Sequence, residues 1–282
     1  MKILIIQENG RHEQNRNFRE CFSMKRSLEK LGCSVVVWGL GHNNFENKNI
    51  INDHYDLIIN LENYDTSGWL PSLEDMDCIK LLWSIDAHCR TMTPYINTFN
   101  QGKYSKILQS TKDYLNDVSI WFPNCYDDTL IHKRDIEKTK DIGFCGSLLN
   151  RSGVLNFLNE RYNLQPDIWV LGDAMVDKIN SYWIHFNMNL SNDINYRSFE
   201  TIGCGTVLLT NYNPQYLELG FKDEYNCLMY RDQQGLTEKV DKYLKKYDLL
   251  DTIAENGLSL AKEHTYDKRA IMLLDIYRDL KS

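Results

Sequence analysis

Arg197 and Glu200 stand three residues apart within residues 187–212, NMNLSNDINYRSFETIGCGTVLLTNY. At that spacing two side chains share one face of a helix. An arginine in a helix's first turn opposes the dipole unless an anion lies beside it, and phosphate is the usual anion there. One reading is therefore a diphosphate held by the helix start and Arg197, with ribose hydroxyls on Glu200. The other is a surface i,i+3 ion pair worth about 0.2–0.5 kcal/mol. A similar arrangement comes earlier, where Gly146 and Ser147 form a turn with exposed amides and Arg151 follows at a helix start. A third group, Asp86, His88 and Arg90, follows an apolar run. A histidine beside a carboxylate can exchange a proton near neutral pH. The structural alternative is that Asp86 caps a turn and His88 is an ordinary satisfied histidine.

The elements that must hold these residues can be read from periodicity. Residues 183–190 alternate apolar and polar, which predicts a strand with one apolar and one polar face. Ser191, Asn192 and Asp193 break it, and a helix is predicted from Asn195 to Gly203. Gly203 and Gly205 stop that helix, and 206–210 reads as a buried strand. This strand–helix–strand unit predicts parallel pairing. Earlier strands are predicted at 2–6, 34–38, 55–61, 79–85, 106–109 and 118–122, with a helix over 18–31 and helical residues at 112–116. Later ones are predicted at 141–145, 167–171 and 226–230, and helices over 236–247, 249–262 and 265–280. In open α/β sheets the residues beyond the carboxyl ends of strands face the ligand crevice, where Asp86, His88 and Arg90 fall. The first loop, Gln7 to His12, lacks GxGxxG, so the dinucleotide fingerprint is absent.

Composition sets the bounds. The 282 residues suffice for one or two domains, and 43% hydrophobic with 25% charged residues is ordinary for a soluble protein. The net charge of −7 argues against a large nucleic-acid footprint. No apolar run approaches a membrane span. The opening MKILII is too short for a signal peptide and reads as a strand, and a cytoplasmic setting is expected. The eight cysteines form no CxxC pair and fit reduced, structural thiols. Asp75 and Asp77 make a DxD pair, but before their strand, at the wrong edge for a metal. No His/Cys ligand cluster appears, so neither a protein-bound metal nor another cofactor is expected. Residues 126–141 change to mixed charge without apolar periodicity and read as an interdomain linker.

Several segments together resemble the GT-B glycosyltransferases, most closely the CgeB-like group with a "glycosyl transferases group 1" C-terminal domain. They are DIGFCGSLLNR (141–151), NYRSFETIGCGTVLLT (195–210), EYNCLMYRD (224–232) and IAENGLSLAKEHTYDKR (253–269). LLWSIDAH (81–88) resembles the N-terminal half of that group. The resemblance implies two Rossmann-like α/β domains facing across a cleft: an acceptor domain at 1–125, a nucleotide-sugar domain at 126–264, and a final helix, 265–282, returning to the first. It places Glu200 on the donor ribose, Arg151 and Arg197 near the diphosphate, and Gly146 and Ser147 in the phosphate-facing turn. Gly172, Asn189, Asn192 and Tyr196 complete the donor-binding set. Asn192 stands where many relatives carry a sugar-contacting glutamate, and only Arg151 stands in place of the usual Arg plus Lys after the turn.

The function so implied is metal-independent sugar transfer from a nucleotide-sugar to a hydroxyl, with retention at the anomeric carbon. Arg151 and Arg197 would stabilise the leaving diphosphate, and Asp86 or His88 would orient or deprotonate the acceptor. The acceptor expected first is a surface glycan or protein. The alternatives are a modified base of viral DNA, with Arg11, Arg16, Arg19, Lys25 and Arg26 on one basic face, and a non-catalytic nucleotide-sugar-binding protein. Homo-oligomerisation is left open.

Overall fold

A computed structural model describes residues 1–10, 12–62 and 68–282. Arg11, one of the residues assigned to a basic face, lies outside them. The chain divides into two compact units, residues 1–123 with 266–282 and residues 124–265.

The first unit opens with β1 (Lys2–Ile6), α1 (Glu20–Lys30) and β2 (Ser34–Trp38). Next come β3 (Leu57–Leu61), β4 (Ile79–Ser84), α2 (Ala87–Arg90), α3 (Thr93–Gln101), β5 (Lys106–Gln109) and β6 (Ser119–Trp121). The six strands form one parallel sheet in the order β2-β1-β3-β4-β5-β6. Their sequences, such as KILII, SVVVW and LIINL, are nearly continuous apolar runs because both faces of a parallel sheet are covered. On one side Leu4, Ile6, Trp38, Ile58, Leu82, Tyr95 and Ile107 close a core. The helix predicted over 18–31 starts later, at Glu20. A 3-10 turn over Glu13–Phe18 precedes it, and extended Arg19 (ψ 146°) separates the two. The helical residues predicted at 112–116 amount to one 3-10 turn, Lys112–Tyr114.

The second unit holds β7 (Lys140–Gly146), α4 (Ser152–Tyr162), β8 (Gln165–Ile168), α5 (Gly172–Asn180), β9 (Tyr182–Asn187) and α6 (Tyr196–Gly203). It continues with β10 (Val207–Asn211), α7 (Pro214–Glu218), β11 (Leu228–Tyr230), α8 (Gln233–Tyr243) and α9 (Tyr247–Ala261). Its five strands are parallel in the order β11-β10-β9-β7-β8. The strand predicted at 167–171 sits earlier, because Trp169 turns into the left-handed region (φ 57°) and Gly172 (φ 60°) starts α5. Residues 126–141, predicted as a linker, pack within this unit. Ile131 is buried, the Arg134 amide donates to Asn180, and its guanidinium reaches Asp173 and Asp177 at 2.6 Å each.

The last helix, α10 (Tyr266–Lys281), belongs to the first unit and packs along α1. Ser27 donates to Asp267 at 2.6 Å, Lys30 pairs with Asp267 at 3.0 Å, and buried Arg269 donates to the Pro123 carbonyl at 2.8 Å.

Candidate active site

Strand order locates the crevice in each unit. Successive connections leave β7 toward β8 on one side and toward β9 on the other, so the sheet's switch point lies between β7 and β9. Gly146 and Ser147 follow β7 there. A turn closed by Arg151 N–H to Leu148 O at 2.8 Å, with Asn150 left-handed (φ 52°), brings Arg151 to the cap of α4. Its Nε donates to the Met188 carbonyl beyond β9 at 2.9 Å. Arg151 therefore ties the loop after β7 to the loop after β9.

Arg197 lies in the first turn of α6 and is one-fifth exposed. It donates to Glu200 Oε2 at 2.6 Å and also contacts the Met175 sulfur on α5. The ion pair that sequence spacing allowed is thus formed, but both partners are largely shielded from water, unlike an ordinary surface pair. Burial lowers the Arg151 pKa, Asp193 opposes that, and the neighbouring Arg197 charge lowers it further. Two guanidinium groups that repel one another at a strand switch point form an anion-favouring arrangement.

A polar network fixes the loop between β9 and α6. Asn189, predicted among the donor contacts, is 2% exposed and points into the fold. Its amide donates to Tyr216 Oη at 2.8 Å, and its oxygen accepts the Asn195 N–H at 3.2 Å. Asn211 exchanges two hydrogen bonds with the Asn189 backbone, at 2.8 and 3.1 Å. Asn187 pairs with Asn195 and Ser198. The polar face predicted for residues 183–190 is thus spent on internal hydrogen bonds, which suits buried amides. Asn192 is exposed at the tip of the loop, and its carbonyl accepts from Asn213 (2.7 Å) and Gln215 (2.8 Å). Tyr196 is half-buried at the start of α6, and Gly172 is buried at the start of α5.

In the first unit the switch point lies between β1 and β3. Glu62, just past β3 and left-handed (φ 57°), was not singled out from sequence. One carboxylate oxygen accepts the amides of Ile85 and Asp86, the latter at 3.0 Å, and Tyr95 Oη lies 3.0 Å from both oxygens. Arg90 Nε lies 4.0 Å from Glu62. The available signal was a lone carboxylate directly after the apolar run LIINL. Asp86 precedes α2, and burial raises its pKa while His88 and Arg90 pull it down. The structure brings Asp86, His88, Arg90 and Glu62 together at the carboxyl edge. Asp75 and Asp77 instead line a groove of about 430 Å³ with Asp53, His54 and Cys78, on the amino side of β4. Among the described residues, no group of His, Cys, Asp or Glu could hold a metal ion.

Two parallel α/β sheets, with strand switch points that gather these charged groups, define a fold of the GT-B glycosyltransferase type. Residues 146–275 match the family model described as glycosyl transferase-like, and the whole chain has the GT-B fold. A sucrose-phosphate synthase from Thermosynechococcus elongatus is similar in structure: TM-score 0.68, 11% identity, 99% of this chain and 98% of that one. An alpha-glucosyltransferase in complex with UDP gives a TM-score of 0.70 at 10% identity, over 99% of this chain and 100% of that one. Anabaena HepE, in complex with UDP and glucose, gives 0.65 at 11% identity over 99% and 100%. No curated protein matches the chain in sequence. Among the described residues no helix is long and apolar enough to cross a membrane.

Proposed function

We propose that this glycosyltransferase moves a sugar from a nucleoside diphosphate sugar to a hydroxyl of a surface glycan or protein, without a metal and with retention at the anomeric carbon. The observation that carries the donor reading is the placing of Arg151 after β7, tied to the loop after β9, and of Arg197, paired with Glu200, at the start of the helix that follows β9. UDP complexes of similarly folded proteins support it. In the transfer the bond from the anomeric carbon to the diphosphate oxygen breaks, and the departing negative charge meets the two guanidinium groups. The acceptor oxygen bonds to the same carbon and its proton passes to Asp86, a carboxyl made more basic by burial. Retention is carried over from the family resemblance.

A modified DNA base as acceptor is favoured by one similar structure, an alpha-glucosyltransferase bound to UDP and a 13-mer DNA. Against it, three of the basic residues around α1 are engaged inside their own unit. Arg19 donates to the Glu8 carbonyl, Lys25 to Val35 and Arg26 to Asn17. The experiment is a thermal-shift screen against a panel of nucleotide sugars, since a ligand that binds only the folded state raises the melting point. A stabilising donor that is then turned over in EDTA supports the proposal. Binding without transfer or slow hydrolysis points to the non-catalytic reading, and turnover abolished by EDTA overturns metal independence. Affinity for duplex DNA that falls steeply with salt points to the DNA acceptor.

A further inference from the structure

His185 lies in the middle of β9 with no exposed surface, and the proposed reaction leaves it without a role. Its surroundings fix its chemical form. Nε2 lies 3.1 Å from the Cys145 backbone N–H, which can only donate, so Nε2 must be the accepting nitrogen. Burial holds the imidazole pKa well below its usual value, and the Arg197 charge lowers it further, so the ring is neutral. The ring proton therefore sits on Nδ1, which lies 2.6 Å from Thr201 Oγ1 and donates to it. Thr201 Oγ1 in turn donates to the Arg197 carbonyl at 2.6 Å. Three hydrogen bonds run in one direction, from the residue before Gly146 to the backbone of Arg197.

The position of this chain is unusual. Backbone pairing of β7 with β9 extends only to Gly143–His185. Two residues further on, an imidazole takes the β7 amide. The side chain thus spans the switch point itself, directly beneath the Gly146–Ser147 turn on one side and the first turn of α6 on the other. A rigid planar ring fixes the distance between those two backbones, whereas a flexible chain would let them drift.

We infer that His185 is a positioning residue: through Cys145 and Thr201 it sets the spacing between the anion-facing turn after β7 and the helix that carries Arg197. This rests on the donor reading given above. It assigns His185 no contact with substrate and no proton transfer. A shift of about 1 Å between groups that grip one ligand costs on the order of tenfold to a hundredfold.

The test uses four variants of the full chain. Thr201→Val breaks the link to Arg197, and Thr201→Ser keeps the hydroxyl. His185→Leu removes both ring nitrogens, and His185→Gln presents an amide oxygen to Cys145 and an N–H to Thr201. Affinities for UDP, GDP and dTDP are measured by calorimetry, together with donor and acceptor KM. Thr201→Val is expected to weaken the diphosphate bound by the wild type by about tenfold and to raise donor KM similarly, with acceptor KM unmoved. Thr201→Ser and His185→Gln should stay within about threefold of wild type. If His185→Leu fails to fold, the valine–serine comparison decides alone. Wild-type affinity in Thr201→Val, or equal losses in the valine and serine variants, overturns the inference while the donor reading stands. If none of the three diphosphates binds the wild type and no nucleotide sugar of the panel stabilises it, the donor reading fails and the inference with it.

Discussion

The Arg197 guanidinium donates to the Glu200 carboxylate at 2.6 Å, one helical turn along α6, and the two side chains are only 20% and 16% exposed. The acid holds the base in place, and on the proposed donor reading the diphosphate adds a second anion beside a cation that Arg151 opposes. Replacing Arg197 by Ala leaves Glu200 shielded without that cation. The expected loss is roughly 2–4 kcal/mol of transition-state stabilisation, read as a fall in kcat/KM for the donor. Glu200→Gln should mainly raise donor KM and spare kcat. Steady-state kinetics on both variants checks the pair, and activity within a few-fold of wild type in Arg197→Ala would remove the arginine from the site.

Asp86 carries a prediction about pH. Burial raises its pKa above the ordinary carboxylate range. A base works only when deprotonated, so kcat/KM should fall as pH drops through that raised value. Asp86→Asn should cost roughly 10²- to 10⁴-fold in kcat and flatten this acid limb, with donor KM little changed. An unchanged pH–rate profile in the variant would move the acceptor's base elsewhere.

Glu224 offers a measurement of stability. Hydrogen bonds from Lys239 and Lys242 hold its pKa down to about 2 from 4.5. Because the folded state depresses this carboxyl, its contribution is complete above pH 4.5 and is lost as pH falls toward 2. Glu224→Gln should therefore be less stable than wild type at pH 6, with the gap closing as pH is lowered through this window. Denaturant titrations at three pH values test it; a gap independent of pH would mean the ion pairs are not formed.

Gly203→Ala probes the end of α6. A Cβ there would stand 2.4 Å from the ring of Tyr126, which is 5% exposed and has little room to yield. A loss of roughly 1–3 kcal/mol is expected, the usual cost of overpacking. Gly205→Ala should also destabilise, for a different reason: its φ of +64° favours glycine. Chemical denaturation of the two variants against wild type measures both costs, and a wild-type midpoint in Gly203→Ala would show that Tyr126 moves aside.

The legible parts of the chain are those governed by local rules. Apolar runs such as Lys2–Ile6, Ser34–Trp38 and Lys106–Gln109 form strands with the predicted bounds, because few other structures bury such short segments. The α6 helix was readable from Asn195 before it and the two glycines at its end. Arg151 and Arg197 are visible as cations at helix starts, and the structure places them after β7 and β9, on the two sides of the switch point. Side-chain partners chosen by strand order were not visible. Asn189 reads as free to meet a ligand because three of its partners, Thr210, Asn211 and Tyr216, lie more than twenty residues away. Glu62 acquires its role only when β3 and β4 lie side by side. The α5 helix is hidden in the sequence although Met175, Val176 and Ile179 sit at helical spacing, since Gly172 reads as the end of a strand.

Because α10 shares a unit with residues 1–123 and is anchored to them by Ser27–Asp267 and Arg269–Pro123, the second unit is an insertion within the first. On the ribosome, residues 124–265 can reach their final packing while the first sheet still lacks its last helix. The face of α1 that packs along α10 then waits uncovered for that helix to emerge. The first sheet is therefore completed only after the inserted unit has been made.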